Sequence, residues 1–409
     1  MKPRIRRRFV LPAVAVATAV AVPAWTLFCH GCSLLTEPAP TPFTVLSYNL
    51  QNLFDGVSDG TEYAEFDPSS GHWDVADAEA KARRVARVIR RAVRGGPDVL
   101  CLQEVENAAV VAELAENHLS GLGYRYAAVT EVEGAAVQVA VLSRDRLSRV
   151  RVHGVPTEDA EKPLRAVLEV RIDVAGEPLY LFANHWKSKA GGAEATSAAR
   201  RAAAAVLRRR IGRLTAASPA VPVLVSGDLN ENPDEFRRVE GAYETALRTV
   251  NTPPEEDAPA DALLLSSDPG LVVAQGGGTP SADGWNPMVS GAPPPASQSA
   301  GAQPKAEEQS LSEEQFPPPV LYCPWDTSEE PGSYYFRGEW LRIDHHLLSA
   351  ELLSGQGLRF ESFEVVRPSF ATRSDGTPRA ALRPGLDGAG AEDEGISDHF
   401  PVLLTLERP

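Results

Sequence analysis

Between Val221 and Asn232 the chain reads VPVLVSGDLNEN. An apolar run with the length and β-branched content of a buried strand ends in Gly227-Asp228-Leu229-Asn230. Side chains alternate along a strand, so Asp228 and Asn230 leave it on one side, beside a glycine that permits close approach. A carboxylate able to activate water, next to a neutral carboxamide, suits chemistry at a phosphate. The same four residues also suit an ordinary turn.

Further strand ends of this kind recur. FTVLSY, from Phe43, is followed by Asn49; PDVLCL, from Pro97, by Gln103-Glu104; PLYLFA, from Pro178, by Asn184-His185-Trp186. WLRIDHHLLS carries Asp344, and ISDHFP places Asp398 and His399 before the apolar run Val402 to Leu406. Taken singly, each has a bland reading as a turn cap, a solvated strand end or a core histidine. Their repetition at the edges of buried strands argues for one shared polar site.

This ordered series resembles the endonuclease/exonuclease/phosphatase superfamily, which includes deoxyribonuclease I-like nucleases, sphingomyelinases and inositol polyphosphate 5-phosphatases. The similarity runs from about Phe43 to Leu406. SYNLQNLFD, NHWKSKAGG and GSYYFRGEWLRIDHHLLS resemble a bacterial exported subgroup of it. Where that subgroup would carry NHWPSR, this chain has Lys187 in place of the proline. The resemblance implies a four-layer α/β sandwich of two packed mixed sheets flanked by helices; strand runs alternating with helices agree with a layered α/β fold. It also implies a Mg²⁺-dependent hydrolase, with Mn²⁺ as the other candidate ion. Glu104 would be the principal metal ligand, and Asn49 and Asp398 would complete or orient the metal shell. Asp228 would activate water, and Asn230 would donate to the phosphate or hold Asp228. Asp344 would orient His399, and His185 would face the phosphate from the other half-site.

Lys187, Lys189 and Arg200 flank the His185 segment as phosphate contacts or as a solvated basic face. Trp186 either stacks on a base or closes the core edge. Tyr334, Tyr335, Phe336 and Trp340 form a stacking wall or simple packing. Alternation puts His346 on the face of Asp344 and His345 opposite, and a two-histidine metal site is the lesser reading. His72 reads as loop packing.

The N-terminus stands apart. Lys2, Arg4, Arg6, Arg7 and Arg8 precede an uncharged run from Phe9 to Cys29, the pattern of an export signal or membrane anchor. Gly31-Cys32-Ser33 resembles a lipoprotein processing site, with Cys32 the lipidated residue. The expected organisation is a signal or anchor over 1–31, a linker over 32–42 and one domain over 43–409. All these readings place the domain outside the cytoplasm, membrane-associated or secreted. A Pro/Gly/Ser/Gln/Glu-rich stretch at about 276–319 cannot bury a core and is expected to be a disordered insertion.

The formal charge is −15, so the overall field does not attract nucleic acid from a distance and any polyanion needs a local basic patch. Of the four cysteines, Cys101 lies in an apolar strand and is expected to be a core residue rather than a disulfide partner of Cys323. The leading expectation is a monomeric exported phosphodiesterase acting on DNA or RNA. The alternatives are a phosphoesterase of inositol phosphates or lipid headgroups and a non-catalytic surface lipoprotein that binds a partner.

Overall fold

The computed structural model describes residues 42–157, 163–251, 259–276, 319–355, 357–385 and 395–408. The N-terminal signal or anchor, Cys32 and the bulk of the expected insertion lie outside these residues.

The described strands in chain order are β1 (Phe43–Leu53), β2 (Val99–Val105), β3 (Tyr126–Val129), β4 (Gln138–Ser143), β5 (Leu147–His153), β6 (Val167–Val174), β7 (Glu177–His185), β8 (Val223–Asp228), β9 (Leu247–Thr249), β10 (Leu263–Ser266), β11 (Val320–Tyr322), β12 (Tyr334–Phe336), β13 (Glu339–Leu341), β14 (Asp344–Leu348), β15 (Arg359–Val365) and β16 (Val402–Glu407). One mixed sheet runs β15-β16-β1-β2-β4-β3, a second β5-β6-β7-β8-β14-β11-β10-β9, and β12-β13 is a separate hairpin. Each large sheet has a parallel pair near its centre, β1 with β2 and β7 with β8. Each pair has an antiparallel neighbour, β16 beside β1 and β14 beside β8.

Strand alternation builds the layers. Val45, Val99 and Cys101 of the first sheet pack against Leu181, Ala183 and Leu224 of the second. Leu46, Leu100 and Leu102 point the other way, onto Val85 and Ile89 of helix α1 (Val75–Ala92). Phe182, Val223 and Val225 likewise meet Ala203, Leu207 and Ile211 of the helix at Ser197–Ala217. The result is a four-layer α/β sandwich, helix on sheet on sheet on helix. Cys101 and Cys323 are both buried free thiols.

Helix α1 is well specified locally. Asp74 caps it and forms a reciprocal capping box with Asp77, a device worth about 1 kcal/mol. Val85, Val88 and Ile89 are fully buried on one face, each contributing roughly 1.5–3 kcal/mol. The helix expected over Asn107–Leu119 is present in two parts, an α-helical stretch at Ala108–Glu113 and a π turn at Leu114–His118.

Candidate active site

The parallel strands β1 and β2 of one sheet and β7 and β8 of the other bring their C-terminal ends to one edge of the sandwich. Backbone irregularities there turn side chains out of the sheet alternation. Alternation would send Glu104 to the helix side with Leu100 and Leu102. Instead the β1–β2 and β2–β4 registers shift at this point, and Glu104 adopts a left-handed φ of +60°. Bulges and strained backbone of this kind re-aim side chains at functional sites. The Glu104 carboxylate accepts from Asn49 Nδ2 at 3.1 Å and from the Asn52 amide at 3.0 Å.

Gly227 is required one residue before Asp228. Its φ is +135°, and a Cβ there would meet the Asn184 carbonyl oxygen at 2.0 Å. No other residue allows β7 and β8 to approach so closely. Asp228 is then gripped at both oxygens, Oδ2 by Asn49 Nδ2 at 3.0 Å and Oδ1 by the Asn230 amide at 2.9 Å. The Asn230 side chain donates to the Trp186 carbonyl at 3.1 Å. Asn230 therefore braces Asp228.

His399 Nδ1 lies 2.8 Å from Asp344 Oδ2, and a carboxylate acceptor makes that ring nitrogen the donor. Ser333 Oγ donates to the same oxygen at 2.6 Å. The Tyr334 ring stacks on His399, with centroids 4.5 Å apart. His399 Nε2 is 3.9 Å from Asp228 Oδ2 and 3.9 Å from Asp398 Oδ1. From the other side His185 Nε2 stands 3.7 Å from Asp228 and 3.6 Å from Glu104. Asn49, Glu104, His185, Asp228, Asp344, Asp398 and His399 thus form one continuous cluster.

The two histidines are driven in opposite directions. Burial pushes His185 well below its usual range, and the Arg165, His399 and Lys187 charges add to this. For His399 burial also favours the neutral ring, but Asp344, its hydrogen bond and the charges of Asp398 and Asp228 outweigh it and raise the imidazolium to about 10. Burial and the Asp344 carboxylate raise Asp228 out of the ordinary carboxylate range. Burial, followed by the Glu104 charge, raises Asp398 against the pull of His399 and Lys81.

Glu104 and Asp398 reach solvent with 19% and 33% of their side-chain surface. Two mutually repelling carboxylates that stay open at the mouth of a buried site match the oxygen donors a hard divalent cation takes. Asn49 is placed differently from a ligand. Its amide nitrogen faces both carboxylates, while its oxygen accepts from the Gln51 amide at 2.9 Å. It orients the acids rather than offering them a metal-binding oxygen.

The substrate contacts expected of Arg200 and Trp186 are corrected. Arg200 is fully buried and paired with Glu231 at 2.7 Å, with Thr196 and the Ala193 carbonyl taking further N–H groups. It fastens the loop after β7 from beneath and cannot touch a substrate. Trp186 is also buried, its ring N–H donating to Asn184 Oδ1 at 3.2 Å, so it closes the core edge. Lys189 pairs with Glu235 at 2.5 Å. Lys187 is half-buried and its charge reaches His185. His345 and His346 are buried and donate through Nε2 to the carbonyls of Glu231 and Val402, which leaves no histidine metal pair.

Other positioning residues were not singled out in the sequence. Ser397 Oγ donates to the Asn49 carbonyl at 2.7 Å and accepts from the His399 amide at 3.0 Å. Buried Lys81 on α1 donates to the Gln51 carbonyl at 3.1 Å and to that of Ile396. Ser333 and Ser397 adjoin motif residues, which is a usable signal; Lys81 lies within a helical pattern that gives none.

A family model described as Endonuclease/Exonuclease/phosphatase family matches residues 44–249, half of the chain. No curated protein matches the chain. Among solved structures, Sphingomyelinase C from Streptomyces griseocarneus is 14% identical over 89% of this chain and 99% of its own, with a TM-score of 0.47. A truncated TDP2 from Caenorhabditis elegans is 14% identical over 90% and 98%, with a TM-score of 0.45. An endonuclease/exonuclease/phosphatase family protein from Bacteroides thetaiotaomicron has the same four values. The family match spans the strand ends from Asn49 to Asn230, and the structure joins Asp344 and His399 to them: the chain belongs to the endonuclease/exonuclease/phosphatase family, and its fold is that of a phosphoesterase.

Proposed function

We propose that this protein is a metal-dependent phosphodiesterase that hydrolyses DNA or RNA with low sequence specificity. The observation that carries the reading is Asp228 set between His185 Nε2 at 3.7 Å and His399 Nε2 at 3.9 Å, with Asp344 favouring the cationic form of His399 and burial the neutral form of His185. Asp228, fixed at both oxygens and raised toward neutrality, is suited to orient water and take its proton. The His399 imidazolium stabilises charge on a non-bridging phosphate oxygen. Neutral His185, whose Nε2 faces the same space, would donate a hydrogen bond to the phosphate. Glu104 and Asp398 would hold Mg²⁺, or Mn²⁺, which when bound neutralises phosphate charge.

The β12–β13 hairpin supports a nucleic-acid substrate. Tyr334 and Phe336 stack at 6.0 Å beside His399, and Tyr335 and Phe336 are exposed. Exposed aromatic faces at the rim suit bases of any sequence. From its sequence pattern, the N-terminal segment is proposed to carry the domain out of the cytoplasm.

The test incubates the full chain with plasmid DNA, RNA, sphingomyelin and phosphoinositides, with Mg²⁺ or with chelator. Cation-dependent cleavage of nucleic acid is expected. Glu104→Gln should lower kcat on the order of 10²-fold or more while leaving the fold intact. Preference for a lipid substrate would move the assignment to headgroup chemistry. Inactivity on all four with Mg²⁺ or Mn²⁺ would remove the enzyme reading.

A further inference from the structure

A second acidic cluster lies outside the catalytic one. One oxygen each of Asp59, Glu62 and Glu106 lies within 4.8 Å of the others. Asp59 and Glu62 belong to the loop after β1, and Glu106 follows β2 directly. Backbone amides organise the loop carboxylates. Glu62 accepts from the amides of Asp59 and Gly60, and Asp59 accepts from the Thr61 amide at 3.0 Å. Glu106 Oε2 accepts from the Asp55 amide at 2.7 Å.

Such loops are common without an ion, and carboxylates capping turns would account for most of these bonds. They do not account for Glu106. It is 3% exposed, yet its Oε1 is buried with no hydrogen-bond partner. An unpaired buried carboxylate oxygen costs several kcal/mol, and a native protein normally supplies it with a partner. The nearest charges are of the same sign, those of Asp55, Asp59 and Glu62. A cation coordinated at Oε1 would supply the missing partner.

We propose that Asp59, Glu62 and Glu106 bind a calcium ion. The donors are all oxygen, which selects a hard cation. Three clustered carboxylates on an irregular loop, with Asp59 open to water, suit the variable six-to-eight-oxygen shell of Ca²⁺ better than the rigid octahedron of Mg²⁺. The ion would tie the loop after β1 to the loop after β2. The same two segments meet at the catalytic edge, where the Asn52 amide holds Glu104. Calcium would thus restrain the approach to the catalytic carboxylate without touching substrate.

The test is calcium titration of the full-length Glu104→Gln protein by calorimetry, with Tb³⁺ luminescence sensitised by the neighbouring Tyr63 as a second readout. Removing the Glu104 charge suppresses binding at the catalytic edge, so one calcium site is expected to remain. Adding Asp59→Asn and Glu62→Gln, both at the surface and compatible with folding, should weaken that site at least tenfold and abolish the Tb³⁺ signal. Circular dichroism would verify the fold of each variant, and the calcium-induced rise in Tm of the Glu104→Gln protein should vanish when Asp59→Asn/Glu62→Gln is added. Unchanged affinity in the triple variant, no calcium binding by Glu104→Gln at millimolar concentration, or Mg²⁺ binding as tightly as Ca²⁺ would each overturn the proposal. Each result is independent of whether the catalytic edge cleaves nucleic acid.

Discussion

The side-chain nitrogen of Asn49, on one sheet, donates to Asp228, on the other, across 3.0 Å. This bond spans from sheet to sheet at the catalytic edge and ties the two halves of the site together. Asn49→Ala should lower kcat on the order of 10²-fold, because Asp228 loses a donor in a buried place. Asn49→Asp should be worse, since it sets a third carboxylate between Glu104 and Asp228. An Asn49→Asp variant with near-normal turnover at saturating Mg²⁺ would mean that the residue serves through its oxygen.

Asp344 and His399 are expected to act as one unit. Each of Asp344→Asn and His399→Ala should abolish most turnover, by analogy with other carboxylate–histidine pairs up to ~10⁴-fold, with the fold retained. The double variant should be hardly worse than His399→Ala alone. Multiplicative losses in kcat would show that Asp344 does something besides orienting the ring.

Arg200 and Glu231 form a buried ion pair, with no exposed surface on either side chain. Glu231→Gln strands the guanidinium in the core and should destabilise the protein by roughly 3–5 kcal/mol. Urea unfolding measures this directly. A loss below 1 kcal/mol would indicate that water reaches the pair.

His345 and His346 predict acid lability. Burial, partly offset by their carbonyl partners, lowers both rings from 6.5 to about 4. Below pH 6.5 the unfolded chain binds protons that the native rings refuse, so stability falls as pH drops from 6.5 towards 4. Each ring contributes up to about 3 kcal/mol to this loss. His345→Gln keeps a donor for the Glu231 carbonyl and should reduce the change in unfolding free energy between pH 7 and pH 4.5 by about 2–3 kcal/mol. Identical slopes for the variant and the parent would refute the assignment.

The central strands were legible because each is a continuous apolar run ending in a polar pair. Leu147–His153 was not, since its exposed LSRVRVH pattern carries charge and marks a sheet edge. Strands of three or four residues, such as Leu247–Thr249 and Val320–Tyr322, are too short to show a period. The site was legible as a set of residue types. Its internal division was not, because partners such as Arg200 and Glu231 meet only after a helix folds over a sheet. The nitrogen-inward placement of Asn49 likewise depends on a carboxylate from the opposite sheet.

Strand β1 lies between β2 and β16, and its register pairs Phe43 with Leu406. In the order of synthesis β2 is available to β1 long before β16, its other neighbour. Until then β1 presents an open, apolar edge with no partner, the kind of surface that recruits other chains. Folding should be slow for this reason, since the closing contact joins segments nearly as distant as the sequence allows. His399 arrives with the same segment, so the loop that completes the chemistry also marks the end of this vulnerable period.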